Sequence, residues 1–293
     1  MSALVPAPVE YVARSCSACG SLAEPEQLYE KWGYAILRCP DCGLGSTCAG
    51  DFDPARIYSR DYFSGGRSDG YADYVGSEAV LRKESRRVLR ALADAGCSSG
   101  TLLEIGCAYG FFLAEASKTF EVEGIELCQD AAAFCRSRGL NVASGAANAE
   151  TLGSGQPIDA VVMLDVIEHL ADPLSVLKLV NARLKVGGHL LLTTGDWDSI
   201  LSRFMKSSWR LITPPQHLFF FSRTSLSAML KRTGFQVVEV ARPAKLVPAG
   251  LMVFQMARIL GAKPPVFRGL SGFALPTNLF DALRIIGVKD RSI

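Results

Sequence analysis

No stretch of the 293 residues reaches the roughly 18 uncharged apolar residues that a membrane-crossing helix needs. The nearest candidate, Leu246 to Ala262, is interrupted by Pro248, Gln255 and Arg258. The N-terminus lacks a basic stretch followed by an apolar run, so no signal peptide is expected and the predicted compartment is cytoplasmic. Internal repeats and low-complexity tracts are missing too. Charged residues are few, 20 % against 49 % hydrophobic, which excludes a disordered chain. Histidine is scarcer still, with three residues: His169, His189 and His217. The length suits one sizeable core with an appendage, or two domains.

Cysteine is not scarce. There are nine, an odd number, and four form the pairs Cys16-Ser-Ala-Cys19-Gly and Cys39-Pro-Asp-Cys42-Gly. Reduced cytosolic thiols favour metal binding over a disulfide framework. Each pair can supply two thiolates from one tight turn, and four thiolates complete a closed tetrahedral site with no open position for catalysis. The expectation is a structural zinc held by Cys16, Cys19, Cys39 and Cys42, against four unmetallated cysteines in a redox pair or loop. Between Cys16 and Cys42 stand two basic and four acidic residues. A phosphate-tracking ribbon would be basic, so nucleic acid is not the expected partner, and the ribbon reads as a structural or substrate-covering appendage.

Net charge is only +2, but residues 61–196 carry −6 and residues 197–293 carry +10. Six basic residues and no acid lie between Arg203 and Arg232. Such a field favours an anionic small molecule or an acidic lipid surface; the plain alternative is a solvated basic face.

Residues 1–50 are expected to form the zinc module and 51–98 a linker with an amphipathic helix over Glu78–Ala95, stopped at Gly96. From 101 the pattern alternates. Strands are expected at Thr101–Ile105, Phe120–Glu126, Leu140–Ala143, Ile158–Leu164 and His189–Thr194. Helices are expected at Phe111–Thr119, Asp130–Arg138 and Pro173–Lys185. Repeated β-α-β units of this length imply a parallel doubly wound α/β sheet over 99–293. Residues 196–221 and 243–278 break the rhythm as substrate-side insertions, and the apolar run 246–275 reads as a lid or a membrane-contact segment. A helix from Ser222 to Lys231 and strands at Phe235–Val240 and Ala282–Val288 complete the chain.

The turn Gly106-Cys107-Ala108-Tyr109-Gly110 joins the first strand of that domain to its first helix, where glycines let a ligand approach the backbone and the helix N-terminus. Glu104 precedes it. Glu126 closes the second strand 20 residues after Gly106, placed to bond ribose hydroxyls, and Asp165 ends the fourth strand beside the same crevice. A Gly-rich turn alone is weak evidence; three strand-end acids around it are stronger.

This block resembles the class I S-adenosylmethionine-dependent methyltransferases. Their first-strand motif, E/D-x-G-x-G-x-G, reads here Glu104-x-Gly106-x-Ala108-x-Gly110, with Ala for the middle Gly. The run Asp159 to Pro173, including Asp165, Glu168, His169 and Asp172, is similar to the family's fourth-strand motif. The resemblance spans about 100–242 and 281–290. It implies a Rossmann-like, mostly parallel seven-stranded sheet behind the zinc-ribbon module. It also implies that Glu104, Gly106, Cys107, Ala108 and Gly110 hold the methionine part of the cofactor, and that Glu126 and Leu127 lie at the ribose. No acid follows the third strand; Asn148 is the candidate on the adenine side. With Pro215-Gln216-His217 through Phe221-Ser222, the likeness narrows to bacterial enzymes acting on sugars, quinones and other glycan or secondary-metabolite precursors. Sugar C-methyltransferases of that branch carry Tyr and Glu just before the matching His; Pro214 and Gln216 stand here, which tilts the reading towards oxygen.

Methyl transfer to a hydroxyl needs alignment and removal of a proton, and histidine is the usual base near neutral pH. His217 is the first candidate for base or substrate contact, with a packing role under Phe219–Phe221 as its alternative. His169 is the second, against a loop-bonding role. His189, at the other end of the sheet, reads as structural. Tyr62, Tyr71 and Tyr74 read as lid or packing residues and Trp209 as a packing anchor. The expected function is O-methylation of a sugar, glycan precursor or lipid-linked metabolite. The alternatives are C-methylation of a nucleotide sugar, a nicotinamide-dependent oxidoreductase, and a nucleic-acid-binding zinc protein. The failed G-x-G-x-x-G argues against the second of these and the acidic ribbon against the third. Peripheral membrane contact and oligomeric state stay open.

Overall fold

The computed structural model describes residues 15–48, 53–54, 57–67, 70–153, 155–259 and 272–292. Nearly all of the sequence before the first cysteine, and the middle of the 246–275 run, lie outside the described residues. The chain opens with β1 (Glu26–Lys31), β2 (Tyr34–Arg38) and β3 (Gly45–Thr47), then α1 (Arg60–Ser64) and α2 (Glu78–Asp94). Alternation follows: β4 (Gly100–Ile105), α3 (Phe111–Ala116), β5 (Phe120–Glu126), α4 (Gln129–Ser137), β6 (Asn141–Ser144), α5 (Ala149–Leu152), β7 (Ile158–Leu164), α6 (Pro173–Arg183) and β8 (Leu184–Gly195). The remainder is α7 (Ile200–Met205), β9 (Phe219–Phe220), α8 (Arg223–Arg232), β10 (Phe235–Ala241), β11 (Lys245–Pro248), α9 (Ala249–Ile259), β12 (Ala274–Thr277) and β13 (Ala282–Lys289). Among the described residues no helix is long and apolar enough to cross a membrane.

Seven strands form the central sheet in the order β10-β13-β8-β7-β4-β5-β6, and β13 alone runs antiparallel to its neighbours. The doubly wound, mostly parallel fold expected from the alternating pattern is therefore present. The chain winds outward from β4 to β6 and returns to β7, so the β4/β7 junction is the switch point where such sheets bind ligands. Residues 160–163 of β7 are wholly inaccessible, as a strand covered on both faces must be. Val161 and Met163 pack under α6, and Val162 packs with α2 and α3 residues on the other face. Each such side chain contributes about 1.5–3 kcal/mol by burial. α6 starts where Asp172 accepts from the Ser175 N–H at 3.0 Å and Pro173 needs no partner.

A second sheet has the order β1-β2-β3-β9, so the cysteine-rich N-terminus is completed by a strand from the 196–221 segment. Thr47 N–H donates to the Leu218 carbonyl at 2.8 Å, and Thr47 Oγ1 donates to the His217 carbonyl at 3.0 Å. Arg232 on α8 donates to the carbonyls of Cys16 and Ser17 at 3.1 and 2.7 Å. The ribbon is thus gripped to the body through several contacts, one of them to the backbone of His217.

Candidate active site

The turn after β4 is shaped by close approach. A Cβ on Gly106 would meet Val166 at 2.5 Å, and one on Gly110 would meet Leu140 at 2.6 Å and Cys135 at 2.8 Å. Between them Ala108 holds φ 46, left-handed territory that suits glycine better. Glu126 fixes the turn: its carboxylate accepts from the N–H of Ala108 and of Cys128, each at 2.7 Å. Burial raises its pKa against the lowering pull of these N–H groups. Leu127, half-buried, lies between Glu126 and the start of α4. Glu104, 3 % exposed at the end of β4, has an Oε2 without a hydrogen-bond partner in the described residues, and burial drives its pKa well up. A buried acid oxygen of that kind, behind a Gly-rich turn and a helix N-terminus, matches an arriving ammonium group. Cys107 is buried behind the turn. Asn148 follows β6, in the loop that opens α5. Its Oδ1 accepts from Glu150 and Thr151 N–H and caps α5.

Next to this crevice is a cavity of about 400 Å³. Its polar wall includes Asp165, Glu168, His169, Gln216 and His217, and its apolar wall Val247, Leu251, Met252, Met256, Leu279 and Phe280. His169 and His217, 48 positions apart, meet with ring centroids 4.6 Å apart. One polar atom from each of Glu168, His169 and His217 lies within 4.8 Å of the others. The Nδ1 of His169 faces the Gln216 carbonyl at 2.9 Å, and that of His217 the Leu211 carbonyl at 2.6 Å. A carbonyl can only accept, so both rings donate from Nδ1 and keep the lone pair on Nε2. Burial lowers both histidine pKa values, that of His217 strongly, with His169 as the second cause. Glu168 is pushed up to about 8 by burial and then by Asp165, which keeps it protonated near neutrality.

Asp165, φ 56, keeps its carboxyl below the usual carboxylate range against partial desolvation: Lys245 donates to both of its oxygens at 2.8 and 2.6 Å, and Thr193 Oγ1 donates at 2.9 Å. The sequence pointed neither to Lys245 nor to Glu168 as a cavity residue; Glu168 stood in the quoted motif, while Lys245 had no local signal. Of the six basic residues between Arg203 and Arg232, Arg210 lines the cavity, and it pairs with Asp281 at 3.1 Å. Depression of the His217 pKa comes first from burial and then from His169, with Arg210 a smaller lowering charge. His189 bonds the Ala95 carbonyl at 2.9 Å, away from the cavity. Trp209 is buried and donates to Asp281 at 3.0 Å. Tyr62 and Tyr71 line the cavity, while Tyr74 packs with Phe63, Tyr109 and Phe111.

The four cysteines converge in two turns of the same pattern. Cys16 and Cys39 each accept from the N–H four residues on and donate to the carbonyl five residues on. Their sulfurs lie within 4.8 Å of one another, with Cys16–Cys42 at 3.6 Å and Cys19–Cys39 at 3.8 Å. Zinc–sulfur bonds of about 2.3 Å in a tetrahedron require sulfur separations of about 3.8 Å, so the set fits such an ion.

Comparison with known proteins agrees with this picture. The ubiquinone biosynthesis O-methyltransferase of Methylococcus capsulatus is 29 % identical over 163 residues, which cover 54 % of this chain and 59 % of that protein. The protein of the same name from Caulobacter vibrioides is 35 % identical over 102 residues, 32 % of this chain and 40 % of its own. The chain spans roughly half the length of the curated relatives it matches. Among solved structures, magnesium protoporphyrin IX methyltransferase from Synechocystis with bound S-adenosylhomocysteine shares the fold. Its TM-score is 0.50 at 12 % identity, covering 78 % of this chain and 96 % of that one. The profile of the methyltransferase domain family matches residues 78–240, more than half of the sequence. The chain belongs to the methyltransferase domain family, as its resemblance to the class I S-adenosylmethionine-dependent enzymes implied.

Proposed function

We propose that the protein transfers a methyl group from S-adenosylmethionine to a hydroxyl of a small molecule held in the 400 Å³ cavity. The observation that carries this reading is the pair His169 and His217, both keyed through Nδ1 to backbone carbonyls and meeting at the wall of that cavity. The cofactor supplies an electrophilic methyl on a sulfonium. Glu104 holds the ammonium end, the Gly106–Gly110 turn lies along the methionine part, Glu126 accepts from the ribose hydroxyls, and Asn148 stands on the adenine side. Asp165 and Lys245 close the crevice beside the acceptor. His217 takes the hydroxyl proton on Nε2, with His169 as its neighbour and second candidate. Protonated Glu168 can donate to an acceptor oxygen and orient it.

Charges around the cavity are matched, Arg210 with Asp281 and Lys245 with Asp165. One wall is polar and the other apolar. An acceptor with a hydroxyl-bearing head and an apolar body suits this better than a free anion, which favours a lipid-linked metabolite or quinol over a sugar phosphate. The relatives named as ubiquinone O-methyltransferases make a phenolic oxygen the first acceptor to test. The ribbon holds a structural zinc through Cys16, Cys19, Cys39 and Cys42, remote from the chemistry. The deciding experiment is methyl transfer from labelled S-adenosylmethionine to a panel of phenols, quinols and glycosides, with the product bond located by mass spectrometry. An N- or C-methylated product would refute the oxygen reading. Calorimetry showing that the protein binds NAD and not S-adenosylhomocysteine would refute the cofactor.

A further inference from the structure

Helix α7 is apolar on two faces about 100° apart. Leu201 and Met205 pack inward with the cluster around Trp197 and Trp209. Ile200 and Phe204, one turn apart on the outer side, are 86 % and 85 % exposed. Residues four apart share a helix face, so the outward pair makes one apolar ridge with no partner among the described residues. The β1–β2 turn comes up beside it, because Lys31 donates to the Ser207 carbonyl at 2.8 Å. At the tip of that turn Trp32 is 67 % exposed, with the Lys31 ammonium 5.0 Å from its ring centroid. Trp32 holds φ 55, an uncommon place for so large a side chain. Arg203, which stands between the two ridge residues in sequence and pairs with Asp198 at 3.6 Å, and Lys206 just after them are both exposed. Exposed apolar residues scattered singly need no explanation, but a cluster flanked by exposed cations does.

We propose that Ile200, Phe204 and Trp32, with Lys31, Arg203 and Lys206, dock the protein on an anionic lipid bilayer. The chemistry suits that partner. Aromatic and aliphatic side chains enter the headgroup boundary, tryptophan prefers that interface, and cations beside them meet acidic headgroups. A stable protein partner needs about 800 Å² of matched surface on each side, more than a single ridge and a turn tip present. The patch is also tied to the cavity lining through the chain. The chain enters α7 through Asp196, whose N–H donates to the Asp281 carbonyl at 2.8 Å, and the preceding Leu279 and Phe280 line the cavity with their side chains exposed. Docking would tether that lining to the membrane. It does not depend on which acceptor is used.

The test is co-sedimentation of the full chain with vesicles of equimolar phosphatidylglycerol and phosphatidylcholine, against phosphatidylcholine alone. Trp197 and Trp209 are buried, so a blue shift of tryptophan emission on adding vesicles reports Trp32. Expected are binding to the anionic vesicles that weakens with salt, a blue shift, and loss of about tenfold or more in affinity in the double variant Ile200→Ser, Phe204→Ser. Lys206→Glu should cost roughly fivefold or more. Both variants change exposed groups, and unchanged S-adenosylhomocysteine affinity checks that they fold. The proposal is overturned if the parent protein ignores anionic vesicles, or if the double variant binds them like the parent. It is equally overturned if the double variant abolishes self-association in a parent that binds no lipid, which would assign the patch to a second copy of the chain. Failure of the parent to bind S-adenosylhomocysteine would count against the methyl-transfer reading and leave the lipid result standing.

Discussion

Glu126 Oε2 lies 2.7 Å from the backbone nitrogen of Ala108, so the acid that ends one strand ties down the turn that ends its neighbour. The same carboxylate reaches Cys128 N–H at the start of α4. An acid read from the sequence as a ribose ligand is therefore also the pin of the cofactor turn.

Glu126→Ala should weaken S-adenosylhomocysteine binding by about 1–3 kcal/mol, since buried donors lose a charged acceptor. Glu126→Gln can accept one of the two N–H bonds and should fall between the parent and the alanine variant. Titration calorimetry on the three proteins checks this; equal affinities would remove Glu126 from the cofactor site.

Periodicity carried the central domain well. Phe120–Glu126 and Ile158–Leu164 are strands with the expected limits, the first an alternating segment and the second a nearly continuous apolar run, each closed by an acid at or just after its end. Strand β8 begins at Leu184, five residues before the expected His189, because Leu184 pairs with Ile158 and the ladder resumes, after an irregularity, at His189 opposite Ala160. Strand β9 was illegible, because its two residues pair with β3 across the chain and local pattern says nothing about that. Asn148 could have been read otherwise. Asn148-Ala-Glu-Thr151 followed by Leu152 has the form of a capping box, which the structure contains. The meeting of His169 with His217, and of Asp165 with Lys245, depends on tertiary folding over tens of residues and leaves no trace in spacing.

Zinc removal gives a second prediction. Freshly made protein should carry one zinc per chain by elemental analysis, and Cys39→Ser should lose it. A closed thiolate site contributes folding energy locally, so the central sheet should stay folded. The ribbon holds the backbone of His217 through Thr47 and grips α8 through Arg232. Turnover should therefore fall while S-adenosylhomocysteine affinity holds. A metal-free preparation with full turnover would disprove the site and its mechanical link to His217 together.

Glu168 sets a pH dependence of stability. Its folded pKa, about 8, stands above the ordinary value of 4.5. The folded protein therefore keeps a proton that the unfolded chain releases between those values. The resulting stabilisation is complete below about 4.5 and is lost as pH rises towards about 8. Glu168→Gln is neutral at every pH and should flatten that decline by up to about 3–4 kcal/mol between pH 5 and pH 8. Denaturant midpoints at pH 5 and pH 8 for both proteins give the comparison, and parallel declines would show that Glu168 is ionised throughout.

The base is the last prediction. His217 donates from Nδ1 to the Leu211 carbonyl at 2.6 Å, so the nitrogen left to accept a proton is Nε2. Burial, and then His169, hold its pKa well below 6.5. The imidazole is neutral and ready across the whole neutral range, so the parent rate should be level there and decline only on the acid side, below the usual histidine range. His217→Ala should lower turnover by roughly 10²–10⁴, the usual worth of a general base, with cofactor affinity nearly unchanged, because the cofactor turn lies on other strands. His217→Gln restores a side-chain hydrogen bond but not a base, and should remain slow. If His217→Ala keeps both the parent turnover and the parent acid limb, the proton goes elsewhere. His169 is then the base, because it presents the same Nε2 lone pair at the same wall, and His169→Ala would show the loss instead.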